Sequence, residues 1–169
     1  MNPSYITPFV ASIKNVFSTM LQLDVTVLEP KLKEAPDPTH DVSGIIAMSG
    51  EVEGNITLSF NTEAASAIVA LFCGEKLEPG TPDFVDAVGE LVNMVSGGAK
   101  AKFPQGGGVS ISCPSVIIGS SHTVSNRSDT PCVIIPCSTD CGELTIEVAL
   151  REAKENNASA AAAGASVNG

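Results

Sequence analysis

The chain has 169 residues, of which 43% are hydrophobic and 17% charged, a composition typical of one folded domain. Its net charge of −10 argues against nucleic acid and against anionic membrane surfaces, because both are bound by clustered Lys and Arg side chains. No stretch holds the ~18 consecutive apolar residues of a membrane span, and no signal-peptide pattern opens the chain, so we expect a cytoplasmic protein without membrane insertion.

Apolar periodicity and turn residues divide the first half of the chain into helices and strands. Apolar residues recur every three or four positions where a helix is predicted and alternate where a strand is predicted. The predicted elements are a helix at 5–21, a strand at 24–29, a proline-containing loop at 31–39, strands at 42–49 and 52–60, and a helix at 64–72. Gly50-Glu51 predicts a hairpin turn, Thr62 a helix cap and Gly74 a helix end.

The second half contains one long helix and several strands. Its predicted elements are a helix at 83–103, a strand at 109–118 interrupted by Pro114, a polar turn at 120–130, and strands at 132–138 and 143–150. A proline removes a hydrogen-bond donor, so Pro114 indicates an edge or a bulge. The pattern predicts an α+β fold with about six largely antiparallel strands in a sheet and three helices packed on it. We assign residues 1–151 to the domain and expect the Ala/Asn/Ser/Gly-rich segment 152–169 to be disordered.

The helix at 83–103 separates into two faces at 3.6 residues per turn. Its apolar face comprises Phe84, Val85, Val88, Leu91, Val92, Val95, Ala99 and Phe103. On the opposite side, Asp86, Glu90, Asn93 and Gly97 follow one another at spacings of four, three and four residues. We call these four residues the polar stripe.

A solvated helix face is the simplest interpretation of the polar stripe, but two features argue against it. The stripe lacks the alternating Glu and Lys residues that stabilise an exposed helix. Three glycines, Gly89, Gly97 and Gly98, also lie inside the helical pattern, and each costs about 1 kcal/mol relative to alanine. A helix that keeps them is expected to be approached closely by another backbone. We therefore interpret the polar stripe as a docking surface.

The segment DAVGELVNMVSG, residues 86–97, resembles the motif of the CheC/CheX/FliY family of chemotaxis phosphatases. In that motif a small polar residue precedes a Glu-x-x-Asn pair and a downstream glycine. The segments GEVEGNITL (50–58) and VSISCPSV (109–116) are similar to their counterparts in CheX-like members. The resemblance covers roughly residues 5–150.

The resemblance implies a CheC/CheX-like fold and a hydrolase that removes the phosphoryl group from the aspartyl phosphate of a CheY-like response-regulator receiver domain. We assign Asn93 to positioning the attacking water, because an amide both donates and accepts hydrogen bonds. Glu90 is implied to pair with the receiver's active-site lysine. Asp86 and Gly97 are assigned to partner docking. Mg²⁺ is supplied in the receiver, so the chain is expected to need no cofactor and no metal ligand of its own.

The resemblance also bears on assembly. CheC-type relatives carry a second motif on the first helix, whereas here no Asp or Glu precedes Asp24 and Asn15 alone cannot supply the pair. A single motif is similar to CheX-like members, which are homodimers, so a homodimer with one active surface per subunit is implied.

Other interpretations remain open from the residues alone. The chain could be a module that binds a receiver or a flagellar-switch component without catalysis. It could use Cys137 or Cys113 as a nucleophile, which would need His122 or His40 as a base. An acid–base hydrolase built on Asp86 and Glu90 would need a substrate cleft, which an outward-facing stripe does not imply. The five cysteines are expected to be free thiols.

Overall fold

The computed structural model describes residues 2–34, 39–127 and 129–154. In this part of the chain three α-helices pack on one eight-stranded sheet, which confirms the α+β architecture. The elements are α1 (Thr7–Leu21), β1 (Thr26–Val27), β2 (Lys31–Leu32), β3 (His40–Gly50), β4 (Val52–Phe60), α2 (Thr62–Cys73), α3 (Pro82–Lys100), β5 (Val109–Ile111), β6 (Ser115–His122), β7 (Val133–Thr139) and β8 (Gly142–Glu152). None of these helices is long and apolar enough to cross a membrane.

The strands of the sheet follow the order β1-β7-β8-β4-β3-β5, with β2 also beside β7 and β6 also beside β3. Every pairing among the described strands is antiparallel. The predicted hairpin between β3 and β4 forms at Gly50 and Glu51, and Thr139 pairs with Gly142 at the turn between β7 and β8. Both hairpins therefore connect neighbours in the sheet, which keeps much of the topology local.

Two differences from the expected strand pattern raise the strand count. Residues 31–39 were expected to form a loop, but Lys31 and Leu32 pair with Ile134 and Val133 as β2. The predicted strand at 109–118 divides at Pro114 into β5 and β6, and both parts pair with β3. The division agrees with the expected effect of a proline, because the ring removes the N–H that a continuous ladder would use.

Other boundaries also differ from the predicted ones: β1 spans only Thr26–Val27, and β6 extends into the predicted polar turn at 120–130. Asn61 rather than Thr62 caps α2, since the Asn61 side chain accepts a hydrogen bond from Ala64 N at 2.7 Å. Helix α3 ends at Lys100 instead of residue 103, and Phe103 lies in the turn that follows with its side chain buried. Strand β8 extends through Glu152, one residue past the predicted domain boundary. Residues 155–169 of the predicted tail lie outside the described part of the chain.

The hydrophobic core lies between the three helices and one face of the sheet. Its fully buried side chains come from α1, α2, α3 and the central strands, and include Phe9, Phe17, Phe84, Ile68, Leu91, Ile56, Phe60, Ile135 and Ile146. Each such side chain contributes about 1.5–3 kcal/mol relative to exposure in water. Because the chain has no tryptophan and one tyrosine, this core is mainly aliphatic, with a few phenylalanines.

The opposite face of the sheet carries buried polar residues. Cross-strand partners share a face, so Ser43 and Ser59, and likewise Thr57 and Glu147, point away from the helices. The hydroxyl groups of Ser43 and Ser59 lie 2.7 Å apart. Glu147, only 2% exposed, accepts a hydrogen bond from Lys33 Nζ at 2.9 Å. This ion pair compensates a carboxylate whose isolated burial would be strongly destabilising.

His40 lies beside this ion pair, with its Nε2 atom 4.0 Å from Oε1 of Glu147. Burial lowers the pKa of His40, and the nearby Lys33 and His122 act in the same direction. The carboxylates of Glu147 and Asp41 act in the opposite direction without reversing the shift. His40 is therefore a group that the folded chain keeps neutral to lower pH than the unfolded chain does.

We expect the free energy of unfolding to fall when the pH is lowered from about 7.5 to about 5.5. Below the ordinary pKa of 6.5 the unfolded chain binds a proton at His40 that the folded chain does not bind. One such group gives a slope of at most about 1.4 kcal/mol per pH unit. Urea unfolding at several pH values should show this slope, and His40→Gln should flatten it. Equal slopes for the two proteins would contradict the assignment to His40.

Candidate functional site

Helix α3 has clear signals for its ends. Pro82 occupies the first turn, where its missing N–H is not needed, and Asp83 in that turn complements the helix dipole. Lys100 does the same in the last turn. The buried residues of α3 are Phe84, Ala87, Val88, Gly89, Leu91, Val92, Val95, Ser96 and Ala99. The predicted apolar face is thus the buried face, except that Val85 is only partly buried.

Two glycines bring α3 close to the sheet. A Cβ atom on Gly44 of β3 would lie 3.0 Å from Cγ1 of Val92, and one on Gly89 of α3 would lie 3.2 Å from Cγ of Pro114. Both distances are tighter than ordinary van der Waals contact, so the two glycines let the helix approach β3 and the segment between β5 and β6 closely.

A third close contact joins α3 to α1. The Ser12 hydroxyl donates a hydrogen bond to the Val95 carbonyl at 2.7 Å. A Cβ atom on Gly98 would lie 2.5 Å from that hydroxyl oxygen. The absence of a side chain at position 98 therefore makes room for the bond. Together with the two sheet contacts, it fixes the rotation of α3 about its axis.

These contacts revise the expectation that the glycines of α3 serve an approaching partner. The neighbours of Gly89 and Gly98 belong to the chain itself. Gly97 is different, because a Cβ atom there would meet nothing within 4 Å among the described residues. Of the three glycines of α3, only Gly97 lacks an internal packing reason for being glycine.

All four residues of the polar stripe lie on the side of α3 away from the core. Asp86 and Glu90 are exposed, and Asn93 and Gly97 are partly exposed. Within the described residues the side chains of Asp86, Glu90 and Asn93 form no hydrogen bond or ion pair. A carboxylate and an amide are therefore presented one turn apart, free to bind an external partner.

An open concavity of about 410 Å³ adjoins the N-terminal half of the stripe. It is lined by Phe72, Cys73, Glu75, Leu77, Asp83, Asp86, Ala87 and Glu90. The contribution of the segment between α2 and α3 was not predicted from the sequence. The glycines and prolines there predicted a loop but not where it would fold.

The structure gives no support to a cysteine nucleophile. Cys137 is buried, and burial raises the pKa of its thiol to about 11, which disfavours the reactive thiolate. His122 Nε2 is within 2.7 Å of the Ser43 hydroxyl, and its Nδ1 is within 2.7 Å of the Gly119 carbonyl. Among the hydrogen bonds of the described residues, neither Cys137 nor Cys113 contacts a histidine.

The sequence matches one known protein family. The family model described as chemotaxis phosphatase CheX matches residues 42–138, more than half of the 169-residue chain. The chain belongs to the CheX family. The match includes α3 and all four residues of the polar stripe. A comparison with curated protein sequences found no match.

Solved structures extend the CheX-family similarity over most of the chain. A CheC-like superfamily protein from Shewanella sp. PV-4 is 35% identical, with a TM-score of 0.81 over 89% of this chain and 99% of that one. CheX from Desulfovibrio desulfuricans is 33% identical, with a TM-score of 0.79 over 88% and 99%. CheX from Borrelia burgdorferi, solved in a complex with CheY, BeF3 and Mg²⁺, is 25% identical, with a TM-score of 0.73 over 88% and 98%.

Adjacent glycines of this CheX-family helix should respond oppositely to alanine. Gly97→Ala should stabilise the fold by about 0.5–1 kcal/mol, because the methyl group meets no neighbour and the helix loses a flexible residue. Gly98→Ala should destabilise it by about 1–3 kcal/mol, because the methyl group displaces the Ser12 hydroxyl from the Val95 carbonyl. Thermal or urea unfolding measures both. Changes of the same sign would contradict the conclusion that Gly98 packs against Ser12 while Gly97 has no such neighbour.

Proposed function

We propose that this CheX-family chain is a phosphatase of the cytoplasm that hydrolyses the aspartyl phosphate of a CheY-like receiver domain in chemotaxis. The observation that carries the proposal is the pair Glu90 and Asn93, unpaired on the outward face of a firmly seated helix. Membership of a chemotaxis phosphatase family supports it. The Borrelia burgdorferi relative, 25% identical and solved with CheY, supports the choice of partner.

Asn93 is proposed to hold the attacking water. Its amide can donate a hydrogen bond to the phosphoryl group while its carbonyl oxygen accepts one from water. The water oxygen attacks phosphorus as the bond to the aspartyl oxygen breaks. The receiver regains a carboxylate, and the water oxygen leaves as part of inorganic phosphate, which also keeps the protons of the water or releases them to solvent. Positioning of the water is the main requirement of such a step, and Asn93 need not act as a base.

Glu90 is proposed to pair with the receiver's active-site lysine. A carboxylate facing the phosphoryl group would be repelled, whereas pairing with a lysine fixes Asn93 in register one helical turn away. The proposed Mg²⁺ belongs to the receiver, where it neutralises phosphoryl charge, so no cofactor is assigned to this chain. Asp86 and Gly97 extend the docking surface on either side, and the missing side chain of Gly97 lets the partner approach.

We further propose a homodimer that forms along β6. In the described sheet β6 pairs on one side only, with β3, while β8 pairs on both sides and is not an edge. An unpaired edge strand favours pairing with another strand. Ile117 and Ile118 of β6 are each 39% exposed. A symmetric pairing of two β6 strands would place the partner strand beside both side chains, one on each face of the sheet, and leave one α3 surface on each subunit.

Asn93→Ala should leave receiver binding within a few-fold of wild type and slow phosphate release by a factor of about 10² or more. Single-turnover decay of a phosphorylated receiver, with and without the protein, measures the rate. Asn15→Ala, which removes an exposed amide from α1, is the matched control and should be fully active. Tight binding by wild type without any shortening of the receiver's phosphorylated lifetime would favour the non-catalytic binding module instead.

Glu90→Lys should weaken binding of a beryllofluoride-activated receiver about tenfold or more, because it sets a cation against the receiver lysine. Gly97→Leu should also weaken binding while the fold remains intact, since a Cβ atom at position 97 meets nothing within 4 Å among the described residues. Titration calorimetry measures both, and Glu143→Lys, at an exposed position of β8, controls for the charge change. Unchanged affinity of Glu90→Lys would remove the lysine pairing, and unchanged affinity of Gly97→Leu would exclude Gly97 from docking.

Light scattering at micromolar concentration should give the mass of a dimer for wild type. Ile118→Lys should shift the protein to a monomer, because a charge on an edge strand opposes pairing. Leu28→Lys changes an exposed residue, 47% accessible, that follows β1 at the other edge of the sheet, and this variant should stay dimeric. A monomeric wild type, or a dimer that survives Ile118→Lys but not Leu28→Lys, would refute the β6 interface.

A further inference from the structure

The concavity beside Glu90 has an apolar floor. Phe72 at the end of α2 and Leu77 in the loop before α3 are partly exposed while packing against the hydrophobic core, and the buried Ala87 lines the same concavity. Because the core holds the floor, its shape does not depend on a partner. With a volume of about 410 Å³, the concavity can hold more than one side chain.

The charged residues that line this concavity are all acidic. Glu75, Asp83, Asp86 and Glu90 line it, and no cationic residue does. Desolvation raises the pKa of the Cys73 thiol, and the nearby carboxylates of Glu75 and Asp83 raise it further, although Cys73 is an exposed residue. None of the four carboxylates pairs with a cation in the described part of the chain. These four exposed carboxylates are therefore accessible to a cation of another molecule.

An apolar floor beside acidic residues suits a side chain that has an aliphatic stem and a positive charge. Lysine and arginine side chains lay an aliphatic stem on apolar surface and keep the charged end among polar groups. The segment 155–169 of this chain contains no lysine or arginine, so it does not supply that cation. The concavity is continuous with the proposed active surface, because Asp86 and Glu90 belong to both.

We propose that this concavity docks a lysine- or arginine-bearing segment of the phosphorylated receiver, with the aliphatic stem on Phe72 and Leu77 and the charge among Glu75, Asp83 and Asp86. The inference rests on the proposed function, since it names a second contact of the same partner. It assigns receiver selection to the segment between α2 and α3, and hydrolysis to Asn93. A receiver with an acidic residue at the matching position is repelled.

The test compares Glu75→Lys with Glu78→Lys. Both glutamates are exposed on the same loop, and both variants make the same change of charge. Only Glu75 lines the concavity, so Glu78→Lys is the matched control. The readouts are KM and kcat for phosphate release from a phosphorylated CheY-like receiver, and the affinity for that receiver activated with beryllofluoride. Glu75→Lys should raise KM and the dissociation constant about tenfold with kcat within about twofold of wild type. Glu78→Lys should change each value by less than about twofold.

Salt gives a second readout. Wild-type affinity should fall as sodium chloride rises from about 50 to about 300 mM, and Glu75→Lys should flatten this dependence. Equal effects of Glu75→Lys and Glu78→Lys would overturn the docking inference while leaving the phosphatase proposal intact. Binding by wild type without hydrolysis would overturn the phosphatase proposal alone, because affinity still tests the concavity. A wild-type protein that binds no activated receiver would overturn both.

Discussion

The close seating of α3 is the constraint on which the rest of the structure depends. Gly44 and Gly89 bring the helix against the sheet, and the bond from the Ser12 hydroxyl to the Val95 carbonyl joins it to α1. A helix held at points along its length cannot roll, so the residues opposite its buried face keep their direction. Because Glu90 and Asn93 are one turn apart on that helix, their spacing follows from helix geometry and is available before any partner arrives.

The two faces of the sheet are stabilised by different interactions. Apolar packing against the helices dominates one face, where Phe60 and Ile146 are buried. The other buries hydroxyl groups and the pair of Lys33 and Glu147, which stabilise only through correct geometry. The Lys33–Glu147 pair and the Ser43–Ser59 contact join residues from different segments, so their geometry depends on the register of β3, β4 and β8.

Much of the fold and stripe could be predicted because the signals are local. Helical periodicity identified the buried face of α3, and Pro114 marked the division of β5 from β6. Features set by distant residues were missed. The two-residue strand β2 forms through pairing with β7, and alternation along β8 does not distinguish a buried Glu147 from an exposed one. The concavity likewise depends on where the loop carrying Leu77 folds against α3.

Because the polar stripe points outward, its side chains can change with little effect on the stability of the fold. Asp86, Glu90 and Asn93 make no hydrogen bond or ion pair within the described chain, so substitutions there leave the folding free energy nearly unchanged. Substitutions in the stripe can therefore accumulate without crossing a stability threshold. The same independence means that a chain altered at these three positions would still fold, so correct folding alone gives no information about whether the stripe is intact.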